Sequence, residues 1–87
     1  MTNLNKKIAL VTAITELSIE ISTNSIIDIF VDFSSHVKGL RIKVILDGWN
    51  PEELKTDFEK TIYLDWPGSE EKLNEVLNYL KTLKEEN

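Results

Sequence analysis

Between residues 26 and 47 the chain reads IIDIFVDFSSHVKGLRIKVILD, two runs of alternating apolar and polar side chains on either side of a short polar segment. Successive side chains of a strand point to opposite faces, so this pattern predicts one antiparallel hairpin with a single apolar side. Ile27, Ile29, Val31 and Phe33 supply that side on the first strand, and Leu40, Ile42, Val44 and Leu46 supply it on the second. Asp28, Phe30, Asp32 and Ser34 then share the other side with Arg41, Lys43, Ile45 and Asp47. With His36-Val37-Lys38-Gly39 as the loop, Ser35 pairs with Leu40, Asp32 faces Lys43 and Phe30 faces Ile45, which are favourable cross-strand neighbours. A slip of one residue would turn the charges into the core, so the parity is strongly specified.

The rest of the chain is expected to cover the apolar side. Leu4, Ile8, Val11, Ile14, Leu17 and Ile21 recur at helical spacing, with Leu10 widening the stripe, and predict an amphipathic helix over residues 4 to 21. A weaker strand-like alternation competes between residues 17 and 22, and Thr23-Asn24-Ser25 has the turn chemistry for leaving a helix. Beyond the hairpin, Asp47-Gly48 closes the strand. Asn50, Pro51, Glu52 and Glu53 then suit a helical turn, or an ordered loop anchored by Leu54 and Phe58. The run from Lys60 to Trp66 alternates again and reads as a third strand, with Ile62, Leu64 and Trp66 inward. Pro67-Gly68 breaks it, Ser69 caps, and Leu73, Val76, Leu77, Leu80 and Leu83 form the stripe of a last helix. The expected fold is α+β: a single domain over residues 1–87, ordered α-β-β-β-α, with two helices on one face of a three-stranded antiparallel sheet.

Charge narrows the partners. Residues 1 to 46 hold five basic and four acidic groups, and residues 47 to 87 hold five basic and eleven acidic, so the second half alone sums to −6. This balance disfavours nucleic acid and anionic membrane and favours a basic partner, or else serves solubility. No cysteine is present, which rules out disulfides and thiolate chemistry. No stretch is long and apolar enough to span a bilayer, and Lys6 and Lys7 lead into a run with acidic residues and no cleavage site rather than into a signal peptide. A cytoplasmic protein is expected.

Catalytic chemistry finds no support in the residues. His36 is the one histidine and has no ligand or nucleophile at motif spacing. Asp28 and Asp32 share a strand face, but Arg41 and Lys43 opposite give them a structural role, and Gly39, Gly48 and Gly68 are isolated turn glycines rather than a phosphate loop. A non-enzyme without cofactor or metal is therefore expected. The candidate binding residues are Trp49 with Glu52, Glu53, Asp57 and Glu59 around it, joined by Glu70 and Glu71 at the start of the last helix. A second candidate is an apolar seam of Phe30, Ile45 and Tyr63 across the open sheet face, suited to a homodimer or a partner.

Two resemblances bear on function. The α-β-β-β-α order, with Pro67-Gly68-Ser69 leading into the last helix, resembles the double-stranded-RNA-binding domain. That family places basic residues at the helix start, where this chain has Glu70 and Glu71 and only Lys72 remains, so the resemblance is one of topology. The run from Val31 to Val37, followed by Gly48-Trp49 and by Thr61 to Asp65, resembles small uncharacterised proteins carried by prophages and mobile elements of low-GC Gram-positive bacteria. That resemblance implies an accessory product, of the kind that includes inhibitors of host defence such as anti-CRISPR proteins, and carries no functional residue over. The function expected is inhibition of a host protein, for example a CRISPR-Cas or other nucleic-acid-binding factor, through an acidic surface in the bacterial cytoplasm. A homodimeric structural or ligand-sequestering module and a degenerate RNA-binding domain are the alternatives.

Overall fold

The hairpin forms as its alternation requires, with β1 (Asp28–Ser34) and β2 (Gly39–Ile45) antiparallel. In the computed structural model, residues 2–48, 52 and 56–86 are described. A third strand, β3 (Phe58–Tyr63), pairs antiparallel with the other side of β2, giving the sheet order β1-β2-β3. Helix α1 (Thr2–Asn24) precedes the sheet and α2 (Ser69–Glu86) follows it. The fold is thus α+β in the order α-β-β-β-α. Its extents of 42 × 26 × 17 Å are those of a slab two layers deep, since a helix layer and a sheet pack about 10 Å apart.

The central strand carries the core. Leu40, Ile42 and Val44 of β2 are at most 1 % exposed, and Ile62, Ile14, Leu73, Val76 and Leu80 close over them. The two helices pack against each other, α1 over β1 and α2 over β3. Phe58 and Tyr79 stack at 4.4 Å between ring centroids and fasten α2 to the start of β3.

The hairpin register differs from the expected one by two residues. Phe33 pairs with Leu40, Asp32 with Arg41, Phe30 with Lys43 and Asp28 with Ile45, and the loop is Ser35-His36-Val37-Lys38. The faces are unchanged because a two-residue shift preserves parity. Gly39 explains the shift: it belongs to β2, and the left-handed loop residue is Lys38, with φ 56°. A side chain at position 39 would lie 3.3 Å from the Tyr63 ring and from Cγ2 of Val37, so this glycine serves the close approach of a ring and not the turn.

Helix α1 also departs from its expected face. Residues 17 to 22 are helical, and the buried residues are Ile14, Ser18 and Ile21, with Leu10, Val11 and Leu17 packed partly against the core. Leu4 and Ile8, expected in the core stripe, are 53 % and 54 % exposed. Buried Ser18 is satisfied by donating to the Ile14 carbonyl at 2.7 Å. The helix runs three residues past the expected Ile21 and ends at Asn24, inside the Thr23-Asn24-Ser25 segment read as a turn, where the Ser25 hydroxyl donates to Ile21 O and accepts from the Ile27 N–H. Ser22 Oγ accepts the Ile29 N–H at 3.1 Å, so α1 covers part of the free edge of β1.

At the other end of the sheet, β3 starts two residues before the expected Lys60 and stops at Tyr63. Leu64 then joins three elements. Its N–H donates to Lys38 O at 2.8 Å, and its carbonyl accepts from Lys7 Nζ at 2.6 Å and from Ser69 Oγ at 3.1 Å. Ser69 therefore commits its hydroxyl to Leu64 rather than capping α2, whose first bond runs from the Lys72 N–H to Gly68 O.

Candidate protein-binding site

The face of the sheet away from the helices is ordered in rows by the register. From one end it reads Asp28 and Ile45; Phe30, Lys43 and Glu59; Asp32, Arg41 and Thr61; Ser34, Gly39 and Tyr63. Phe30, Ile45 and Tyr63 do share this face, but the expected seam is not continuous: Tyr63 lies at the opposite end from Ile45, with two rows of charged and polar groups between. Ile45 is also only 8 % exposed. Between the apolar groups runs a charge ladder, in which Arg41 stands 3.7 Å from Asp32 and 4.0 Å from Glu59, all on exposed side chains. Lys43 Nζ sits 6.0 Å from the centre of the Phe30 ring, a cation–π contact in place of the expected Phe30–Ile45 pair.

Trp66, inward by the alternation of the third strand, is instead 57 % exposed. Once β3 ends at Tyr63, the turn reverses the chain through the bonds Trp66 N–H to Tyr63 O and Ser69 N–H to Trp66 O. This brings the indole back onto Tyr63, with ring centroids 4.5 Å apart and planes 33° apart. Tyr63 in turn fills the space over Gly39. Beside this aromatic pair lies an open depression of about 330 Å³, bordered by Asp32, Phe33, Val37, Gly39, Arg41 and Tyr63 among others. Phe33, the last residue of the expected core series on the first strand, lies at the end of an edge strand and is 54 % exposed.

The acidic candidates fall into separate places. Trp49 and Glu53 lie outside the described residues. Glu52 is exposed, and Glu59 is on the open face. Asp57 has a structural role, since Oδ2 accepts the Leu46 N–H at 2.7 Å while its own N–H donates to Val44 O at 3.0 Å, tying the end of β2 to the start of β3. Asp57 and Glu86 also act on Tyr79, whose pKa stands above 10.0 chiefly because burial disfavours the phenolate, with the two carboxylates adding to the effect. Glu70 and Glu71 open α2, where they complement the positive end of its dipole. They sit past the end of β3, roughly 20 Å from Asp57 by the rise of an extended strand.

His36 is exposed in the hairpin loop. Among the described residues no three His, Asp, Glu or Cys side chains come together as a metal site, and no described helix is long and apolar enough to cross a membrane. Comparison with protein-family models, with curated proteins and with solved structures finds no match.

Sequence reasoning misses the exposed apolar groups Trp66, Phe33, Leu4, Ile8 and Ile19. For Trp66 a signal exists: Asp65-Trp66-Pro67-Gly68 is turn chemistry, and a residue before proline is biased away from continuing regular structure. For Phe33 the signal is its position, last in the apolar series of an edge strand. Nothing in the sequence distinguishes the two apolar sides of α1.

Proposed function

We propose that this chain acts by binding rather than catalysis, as a phage or mobile-element accessory protein that inhibits a host protein by seating the open face of its sheet on a basic surface of that protein. The observation that carries the reading is the open face itself. Phe30, Tyr63 and Trp66 stand on it among the charged groups Asp32, Glu59, Arg41 and Lys43, and neither helix covers it. An aromatic set ringed by polar groups is the composition of a protein-binding patch. The net charge of −5 supplies long-range attraction to a basic partner, and the aromatic groups supply the short-range contact. The inhibitor role, with a nucleic-acid-binding defence factor as the example partner, rests on the resemblance to prophage proteins and on this charge. The cytoplasm of a bacterial host is the compartment that goes with it.

Affinity capture from a lysate of a low-GC Gram-positive host, followed by mass spectrometry, would name the partner. Binding kinetics then divide the two contributions. Reversing Glu52, Glu59, Glu70 and Glu71 to lysine should slow association, most strongly at low salt, whereas Trp66→Ala should speed dissociation. If both sets of rates stay unchanged, the open face is not the binding site. A ligand-sequestering module is the second reading, favoured by the depression beside Tyr63 and Gly39; a small molecule seated there would lie against the Tyr63 ring and shift its NMR signals.

A further inference from the structure

We infer that a second copy of this chain adds to the free edge of β3, strand against antiparallel strand, about a twofold axis at Thr61. The two sheets then join into one, with β3 and the partner's β3 at its centre.

The register decides which backbone groups this edge offers. The Leu64 N–H donates to Lys38 O, and along an antiparallel pair the bonded residues alternate. Phe58, Lys60 and Ile62 therefore turn their N–H and C=O groups toward β2, and Glu59, Thr61 and Tyr63 turn theirs away from the sheet. The same alternation turns Ile29, Val31 and Phe33 outward on β1, as the bond from the Ile29 N–H to Ser22 Oγ shows. The two edges are thus treated differently. On β1 an outward N–H is taken by a side chain of α1, which lies along that strand. On β3 no further strand follows, and the described residues give a partner to one outward group, the Tyr63 carbonyl, which accepts the Trp66 N–H. From Glu59 to Tyr63 the strand has neither proline nor glycine to disturb an added strand.

An unfilled row of alternating donors and acceptors calls for an extended backbone, and the side chains select this chain's own. Directly opposite residues lie on one side of the sheet. The longest overlaps of β3 with itself centre on Lys60 or on Thr61. Centring on Lys60 sets two lysines against each other and lets only Glu59 and Thr61 exchange bonds across the edge. Centring on Thr61 lets Thr61 exchange bonds with the partner's Thr61, Glu59 with the partner's Tyr63, and Tyr63 with the partner's Glu59. On the open face each Glu59 carboxylate then stands across from a phenol that can donate to it, and the threonines meet on the axis. On the helix side Lys60 stands across from the partner's Ile62, its charge already met by Glu75 Oε2 at 3.0 Å.

Helix α2 fits the same axis. Glu75 reaches Lys60 and Tyr79 stacks on Phe58, so this flank of α2 lies over β3. Lys72 shares the flank, three residues before Glu75, and is exposed. A twofold at Thr61 brings Lys72 of one protomer toward the partner's Glu75, whose Oε1 is not used by Lys60. The surface is therefore its own complement in hydrogen bonds and in charge, as an isologous interface requires.

Sedimentation equilibrium and amide hydrogen exchange on the full chain test the inference. No lysate or host protein enters either measurement, so their failure leaves the proposed partner site untouched. The wild type should run at twice 10.0 kDa at micromolar concentration. As the protein is concentrated, exchange at the Glu59, Thr61 and Tyr63 N–H groups should slow, while Lys60 and Ile62 stay protected throughout. Thr61→Pro removes an outward N–H and no bond to β2, so it should raise the dimer dissociation constant by about tenfold or more with the circular dichroism of the fold retained. If that variant does not fold, Thr61→Lys takes its place, since it sets two lysines on the axis at an exposed position, and the same weakening is expected. Ile8→Glu should leave the dimer intact. Because the chain has no cysteine, Thr61→Cys should cross-link to itself on oxidation far faster than Thr12→Cys, an exposed position on α1. A wild type that stays monomeric, a dimer indifferent to changes at Thr61, or exchange at the Thr61 N–H that does not respond to concentration would overturn the inference.

Discussion

A Cβ at position 39 would meet Cδ1 and Cε1 of Tyr63 and Cγ2 of Val37, each at 3.3 Å. Tyr63 is backed by Trp66, so the ring has little room to withdraw. Gly39→Val should therefore destabilise the domain by about 1–3 kcal/mol, the ordinary cost of overpacking, as read by a lower denaturation midpoint. Asp57 is a second residue whose role differs from its appearance in the sequence. Removing its carboxylate leaves the Leu46 N–H without that acceptor, so Asp57→Lys should cost about 1 kcal/mol. Glu59→Lys, which disturbs only an exposed pair with Arg41, should cost less than about 1 kcal/mol. Tyr79 gives a signature at alkaline pH. Its folded-state pKa lies above the ordinary 10.0, so the neutral phenol favours the fold. The stability it contributes is complete below pH 10 and disappears as the pH rises through the raised value. In a series of denaturant titrations above pH 10, Tyr79→Phe should flatten the decline of the midpoint relative to the wild type.

At the scale of elements, α1 contrasts two sets of isoleucines. Ile14 is fully buried and Ile19 is 63 % exposed, so Ile14→Ala should cost about 2–5 kcal/mol and Ile19→Ala within about 0.5 kcal/mol, as compared by thermal melts. Periodicity does not separate them, because it reports that a helix has apolar stripes and not which stripe meets the sheet. That is why Leu4 and Ile8 read as core residues in the sequence. The hairpin is more legible: period-two alternation decides which residues of β1 and β2 face the helices. It leaves the register open, because Gly39 has two physical uses, turn and close approach, with the same appearance in a sequence. The acidic site is the least legible part. Glu52, Asp57, Glu59, Glu70 and Glu71 are near one another in the chain, yet β3 carries the last two to the far end of the sheet and gives Asp57 a structural bond.

The molecule as a whole is a helix layer on a sheet with one face open, the architecture shared by many unrelated binding domains. Its charge bears on one class of ligand. A duplex would have to lie against a chain of net charge −5 whose last helix opens with two glutamates, and counterion release supplies affinity only where cations meet phosphates. Gel-shift titration at physiological salt should show no binding of double-stranded RNA or DNA at low micromolar protein, whereas a shift that weakens steeply with added salt would contradict this.

The Leu64 carbonyl holds Lys7 from near the start of the chain and Ser69 from the start of the last helix, and the core side of α1 is closed mainly by α2. During synthesis α1 therefore emerges well before its main cover. From the time it leaves the ribosome until Leu80 and Leu83 follow, both of its apolar sides face the cell. The hairpin can pair early, since its contacts are local, but the helix cannot be sheltered by it alone. A chain cut before α2 should therefore expose apolar helix surface and be digested by protease faster than the whole domain.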